Sequence, residues 1–285
     1  MKYYQESATV NTLFFPINTP YEAAHRNDSP AFPVGPHSHD GAEVYLTLTE
    51  LPDVLLGDRI YSAPAGTLII IPPFCVHQLY HETGKIYDRF VLNVSKKWIS
   101  EVFFYPSDSF LCGETINQPL IIPLKETEKK KLMNLFHKLL LCANPTSPET
   151  LVCLFELLDM LIKLENSSFP ATAHAGISSS QQKVNDIIAF IDDHISENIT
   201  ISDLAGHFFL NGDYLARLFK KHAHVSIGHY ITVQKINVSQ RLLREGHSVE
   251  NVSEMLNFSN YAHFFKTFQK ITGMSPSRYR KHYLE

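Results

Sequence analysis

The sequence predicts a two-domain chain with a β-rich front and an all-helical back. Three observations predict it. Up to about Lys97, apolar and β-branched residues come in short runs separated by Gly, Pro and Asp. From about Lys125 the apolar spacing changes to the three-and-four period of amphipathic helices. The last third of the chain then contains the same pair of short helices twice, joined by one longer helix. A length of 285 residues suits about two hydrophobic cores.

In the front, Val44–Leu48, Val54–Leu56, Thr67–Ile71 and Phe90–Val94 read as strands. Several short strands at near-regular spacing suggest a small sandwich or barrel over residues 1–124. Pro30, Pro33 and Pro36 exclude a helix ahead of the first one. Residues 125–165 form a helical pair. Leu132, Leu135, Phe136 and Leu139 line its first helix; Leu151, Leu154, Phe155, Leu158, Leu161 and Ile162 line its second. The pair either packs on the front domain or makes a dimer contact. The second helix is apolar enough to have surface to spare, so a homodimer is expected. Residues 166–182 read as a linker by composition, and 183–285 as the second domain.

In that domain Val184, Ile187, Ile188, Ile191 and Ile195 make the first stripe. Thr200 and Ser202 are capping candidates for a short helix through Leu204 to Phe208. Asn211 caps a second helix with Leu215, Leu218 and Phe219 inside. A longer helix runs from about Ser226 to Glu245, ended by Gly246, and Val249, Val252, Met255 and Leu256 mark another short one. In the last unit Ser259 reads as the cap, and Phe264, Phe268 and Ile271 as the buried stripe. Gly273 suits a left-handed helix end, and Pro276 the first turn of the next helix. A polar, partly basic outer face suits a DNA groove, although this helix alone reads equally well as an ordinary amphipathic one.

The repeat changes that balance. Ser202 through Asn211 to Lys221 matches Val252 through Ser259 to Lys270, each unit resembling a helix-turn-helix. Two such units on one rigid helix place two reading helices on one side, about one DNA turn or ~34 Å apart. The region from Lys183 to Tyr283 resembles the DNA-binding domain of the AraC/XylS family of bacterial transcription regulators. The match rests on Leu204-Ala205, Tyr214 to Lys221, Tyr230, Leu242-Leu243, Phe258 to Phe268 and Gly273 to Arg280. There are departures. His224 and Asn257 stand where the family has Gly, Lys235 where it has Arg, and Ser239 where it has Ala. The first unit is therefore expected to end differently, and the second to be the better match.

The resemblance implies that Gly212, Asp213, Ala216, Arg217 and Lys220 face DNA in the first unit. In the second it implies Asn260, Tyr261, His263, Lys266 and Thr267. Arg217 suits a two-bond contact to guanine, whereas Lys220, Lys221 and Lys270 suit phosphates. It further implies a homodimer, a contact with RNA polymerase and a small-molecule effector, with a sugar or sugar derivative as the family-level guess. The net charge of −4 does not by itself suggest nucleic acid. From Ser180 onward there are 12 basic against 10 acidic residues, leaving 13 against 19 before it. That asymmetry points the right way.

No apolar run approaches the ~20 residues of a membrane helix. The N-terminus lacks the apolar core of a signal peptide. Cys75, Cys112, Cys142 and Cys153 form no CxxC pair and fit reduced thiols, so a cytoplasmic location is expected.

The front domain carries one further pattern. His37-Ser38-His39-Asp40-Gly41-Ala42-Glu43, then Gly66 and Pro72-Pro73-Phe74-Cys75-Val76-His77, resembles the two cupin motifs. The resemblance implies a barrel in which His37, His39, Glu43 and His77 converge. Three histidines and a carboxylate are a plausible set for a divalent transition metal. The glycine expected after the glutamate is missing, with Glu50-Leu51-Pro52-Asp53 in that stretch. Three readings stay open: an organic effector pocket, a metal site, or a structural remnant. Tyr80 and His81 are candidates for the mouth; Asp88 and Arg89 either reach inside or form a rim ion pair. The chain is therefore expected to be an effector-controlled, sequence-specific DNA-binding regulator with no catalytic residues. Its rivals are a metal-dependent cupin enzyme and a regulator whose effector is a metal ion.

Overall fold

The computed structural model describes residues 14–15, 17, 19–28, 36–79, 84–102, 119–142, 147–167 and 178–284. The front domain runs through β1 (Phe14–Phe15), β2 (Tyr21–Asp28), β3 (Ser38–His39), β4 (Gly41–Thr47), β5 (Leu51–Leu56), β6 (Arg59–Ala63), β7 (Thr67–Ile71), β8 (His77–Leu79) and β9 (Tyr87–Ser95). After α1 (Lys96–Val102) come β10 (Leu120–Pro123), α2 (Glu126–Leu141) and α3 (Pro148–Ser167). An antiparallel five-stranded sheet has the order β10-β7-β4-β9-β2, and a second has the order β6-β5-β8.

The alternation of the pleat divides the apolar strand residues between two cores. Ala42, Val44 and Leu46 of β4, Leu68 and Ile70 of β7, and Phe90, Leu92 and Val94 of β9 pack against α1, α2 and α3. Their alternates Tyr45, Ile69, Ile71 and Val91 join Leu51, Val54, Leu56 and Leu79 from the other sheet. Burial on both faces explains why β7 reads as an unbroken apolar run. The helical pair thus covers the outside of the five-stranded sheet, through Leu132, Phe136 and Leu139 on α2 and Leu154 to Leu164 on α3. Leu141 and Val152 remain exposed on this pair. The hairpin also sets Cys142 beside Cys153, whose thiol is pushed up by burial and then by its neighbour.

The strands expected from apolar runs are present, whereas β2 was not legible: Tyr-Glu-Ala-Ala-His-Arg-Asn-Asp is a half-buried edge strand without apolar alternation. Helix α3 runs through Ser167 and α4 (Ser179–Asp193) starts at Ser179, so both ends of the expected linker are helical. The rest of it, Cys112, and the prolines expected to exclude a helix at positions 30 and 33 lie outside the described residues.

The back domain continues with α5 (Ile201–His207), α6 (Gly212–Ala223), α7 (Ile227–Arg244), α8 (Val249–Met255), α9 (Tyr261–Thr272) and α10 (Pro276–Leu284). Each start has a physical cause. The side-chain oxygens of Ser178, Thr200, Asn211, Ser226 and Ser248 accept hydrogen bonds from backbone N–H groups in the first turns of α4 to α8. Two cores result. Leu204, Leu215, Phe219 and Tyr230 belong to one, and Ile236, Leu243, Phe264, Phe268 and Tyr279 to the other. Buried Lys235 of α7 joins the units: its Nζ donates to the carbonyls of Glu197 (3.1 Å) and Leu256 (2.8 Å). The front domain enters both cores, with Leu55 and Ile60 in the first and Phe74 in the second.

Candidate functional site: a buried cluster and two exposed helices

The cluster is built where β3, β4 and β8 meet. His37 and His77 exchange backbone hydrogen bonds of 3.0 and 2.8 Å, which lays the His37 segment against β8. Gly41 opens β4 so close to β9 that a Cβ there would collide with the Val94 carbonyl oxygen. From that start the pleat sends Ala42 and Val44 outward and Glu43 and Tyr45 inward. His39, Glu43 and His77 are almost wholly buried, and one ligand atom from each lies within 4.8 Å of the others.

Hydrogen bonding fixes the form of both rings. Nδ1 of His39 lies 2.7 Å from the Gly41 carbonyl, and Nδ1 of His77 lies 3.0 Å from the Cys75 carbonyl. A carbonyl only accepts, so each Nδ1 carries a proton, and in a neutral ring each Nε2 presents a lone pair. Both Nε2 atoms face the same carboxylate oxygen, and a ring protonated there donates to it. Nε2 of His39 is 3.1 Å from Oε2 of Glu43, and Nε2 of His77 is 2.9 Å from it. The second contact lacks hydrogen-bond geometry, leaving that buried nitrogen without a partner. Oε1 of Glu43 accepts from the Tyr45 hydroxyl at 2.7 Å. Burial alone would raise the Glu43 carboxyl, but the His39 and His77 imidazoles against it hold it well below the usual range. Burial likewise opposes charge on His39, and Glu43 outweighs it and pushes the ring up.

Three of the four sequence-predicted residues therefore converge. His37 is buried beside them, its ring centroid 4.2 Å from that of His77, but outside the set of converging ligand atoms. Asp88 and Arg89 each take a partner on β2 in place of one another: buried Arg89 donates to Asp28 at 2.9 Å, and Asp88 pairs with His25 at 2.6 Å. Tyr80 and His81 lie outside the described residues. Tyr45 was missed; its i, i+2 spacing from Glu43 on one strand face was the available signal.

In the back domain the two units end alike. Helix α9 stops on Gly273 at φ 76°, and α6 stops on His224 at φ 51°, in the same left-handed region. The expectation that the first unit ends differently is overturned: an exposed histidine takes the left-handed turn that the family gives to glycine, a conformation histidine adopts more readily than most residues. The cap of α9 is Asn260, whose Oδ1 accepts from the His263 N–H at 2.8 Å, and not Ser259. This leaves four residues (208–211) between the helices of the first unit and five (256–260) in the second. Arg217 and Lys266 then fall at the same place, six residues after each cap. Asp213, Arg217, Lys220, Lys221, Asn260, Tyr261, His263, Lys266 and Lys270 are exposed, while Gly212, Ala216 and Thr267 are half-buried.

Residues 19–175 match the family described as an AraC-like ligand binding domain, and residues 204–282 a helix-turn-helix domain. The chain belongs to the AraC family. It is a DNA-binding transcription regulator with a ligand-binding domain. It is 27% identical over 265 residues to the uncharacterized HTH-type transcriptional regulator YfiF of Bacillus subtilis, covering 87% of this chain and 79% of that one. It is 32% identical over 103 residues to the melibiose operon regulatory protein of Escherichia coli, which takes in 36% of this chain and 34% of that protein. A crystal structure of ToxT from Vibrio cholerae aligns over 92% of this chain and 97% of its own, at 11% identity and a TM-score of 0.36.

Proposed function

We propose that this AraC-family chain reads DNA through the exposed faces of α6 and α9, under the control of an effector held at the His39–Glu43–His77 cluster. Two imidazole Nε2 atoms and a carboxylate oxygen within 4.8 Å of one another carry this reading, since rings that shed the Nε2 proton present lone pairs to one point. A divalent transition metal fits that donor set, with Nδ1 of each histidine anchored on a backbone carbonyl as metal-bound histidines require. Such an ion supplies one positive centre for both lone pairs and the carboxylate. Tyr45 steadies Glu43, and the two carbonyls fix the ring orientations.

The front interior also favours a compact effector. Leu51, Val54, Leu56, Ile69, Ile71 and Tyr87 are closed from solvent and fill the space between the sheets. A sugar is suggested by relatives named for the melibiose and raffinose operons, but those matches span only 36% and 40% of this chain. The relatives are named as regulators, so the chain is read as a regulator and not an enzyme. The exposed Leu141 and Val152 support the α2–α3 pair as the contact between two copies of the chain. Location in the cytoplasm and a contact with RNA polymerase go with the same reading.

Titration of the full chain with Co²⁺ and Zn²⁺ tests the cluster. One ion per chain is expected, with affinity lowered at least ~10-fold by Glu43→Gln or His77→Ala. Gel-shift affinity for a cognate duplex should then change on adding Zn²⁺ and revert with a chelator. A wild-type chain that binds DNA but neither ion leaves an organic effector as the reading.

A further inference from the structure

The two segments that carry the cluster also hold the second reading unit. Asp40 follows His39 directly; its Oδ1 accepts from the Ile17 N–H at 2.7 Å and its Oδ2 from the Tyr283 hydroxyl of α10 at 2.9 Å. Phe74 lies three residues before His77. Its N–H donates to the His39 carbonyl at 2.7 Å, tying one cluster segment to the other. Its backbone is left-handed at φ 64°, unusual for so bulky a residue, and such an outlier persists only where its surroundings enforce it. The ring is turned out of the front domain into the core of the second unit. There the Arg244 guanidinium lies 3.4 Å from its centroid and Tyr283 meets it edge-on at 6.0 Å. Arg244 in turn donates to the Tyr279 hydroxyl at 2.8 Å. The first reading unit is held elsewhere, by the Asn185 amide bridging the N–H and carbonyl of Ile60 on the edge strand β6.

We propose that Asp40 and Phe74 form a latch through which occupancy of the cluster sets the hold of the front domain on the second helix-turn-helix unit. This rests on reading the cluster as the effector site. The latch leaves the outer face of α9 exposed, so it does not cover the DNA-reading surface. It fixes the direction in which that unit points relative to the front domain. A ligand that draws His39, Glu43 and His77 together acts on both latch segments at once. By linkage, whatever changes at the cluster on DNA binding must be matched by a change in DNA affinity on filling the cluster.

Amide hydrogen exchange on the full chain tests this without knowledge of the effector. The comparison is between wild type and Tyr283→Phe/Arg244→Gln, each alone and with a duplex selected by the wild type from random-sequence DNA. The double variant loses the Tyr283–Asp40 and Arg244–Tyr279 hydrogen bonds and one cation–π contact, so the amides of His37, Phe74 and His77 should exchange roughly tenfold faster. Val44 and Leu92, inside the five-stranded sheet, should keep their rates. DNA should alter exchange at the three cluster amides in wild type and leave it unaltered in the double variant. Wild-type rates at those amides in the DNA-free double variant overturn the latch, as does DNA that binds wild type without altering them. If wild type selects no DNA, the proposed function fails, and the DNA-free comparison still decides the latch.

Discussion

Phe209 and Asn257 occupy the same place in the two reading units, one residue beyond the C-cap of α5 and of α8, and both are left-handed, at φ 52° and 49°. Asparagine tolerates that conformation and phenylalanine does not. Phe209 is also 94% exposed, so no packing rewards it. Phe209→Asn should therefore stabilise the chain by about 1 kcal/mol, read as a rise in the thermal midpoint. An unchanged or lower midpoint would show that the ring has a partner in solution. Gly41 is the opposite case. Gly41→Ala drives a methyl into the Val94 carbonyl and should cost roughly 1–3 kcal/mol while weakening ion binding at Glu43 two residues on. The residues of the cluster were legible through the resemblance of His37 to Glu43 and Pro72 to His77 to the two cupin motifs. The proton positions that make the cluster a donor set were not, since they depend on the carbonyls of Gly41 and Cys75, which only the folded backbone places.

At the scale of elements, the helices were legible because caps and apolar stripes are local. Asn211, Ser226, Gly246, Gly273 and Pro276 each sit where the chain turns. The error at Ser259 arose because two adjacent polar residues both suit a cap, and the core contacts of Phe264 decide between them. The sheet was half legible. Strands buried on two faces announced themselves, while β2 and the short β3 and β8 are defined by partners distant in sequence. The corrected register makes a sharper prediction for DNA. Arg217→Ala and Lys266→Ala remove equivalent exposed cations and should each weaken binding to a selected duplex, by about 1–3 kcal/mol for a base contact. If Lys266 holds a phosphate instead, its loss lowers the salt dependence of binding by about one unit and spares sequence preference. Two variants that bind as wild type does would mean that other faces of α6 and α9 meet DNA. Asn260→Ala separates the roles of its side chain, since losing the cap costs about 1 kcal/mol of stability whatever the DNA contact.

At the scale of the molecule, the two domains meet around a carboxyl that is out of place. Asp192 lines a cleft of about 200 Å³ with Phe74, Gln234, Asn237, Arg241 and Arg244. It accepts from the Tyr230 hydroxyl at 3.1 Å, and that hydroxyl also faces the carbonyl of Gly57 in the β5–β6 turn at 3.5 Å. Burial, then Asp58 of the front domain and Asp193 of α4, push Asp192 up to about 7, against the opposing hydrogen bond from Tyr230. Because the folded value is raised, the folded chain binds a proton that the unfolded chain has released between about pH 4 and 7. Stability is therefore greatest below that window, falls as pH rises through it, and levels off above about 7. Part of the shift comes from Asp58, so parting the domains lowers it, and rising pH should favour the parted form. Asp192→Asn removes the titration and keeps an acceptor for Tyr230. At pH 8 it should stabilise the chain by about 1–3 kcal/mol, and at pH 5, roughly one unit into that window, by about a third as much. In the wild type, exchange at the Ile60 amide, which is hydrogen-bonded to Asn185 across the domain boundary, should quicken from pH 6 to 8 beyond the intrinsic effect of base, and in the variant it should not. Equal pH dependence in both would place the origin of domain docking outside this cleft.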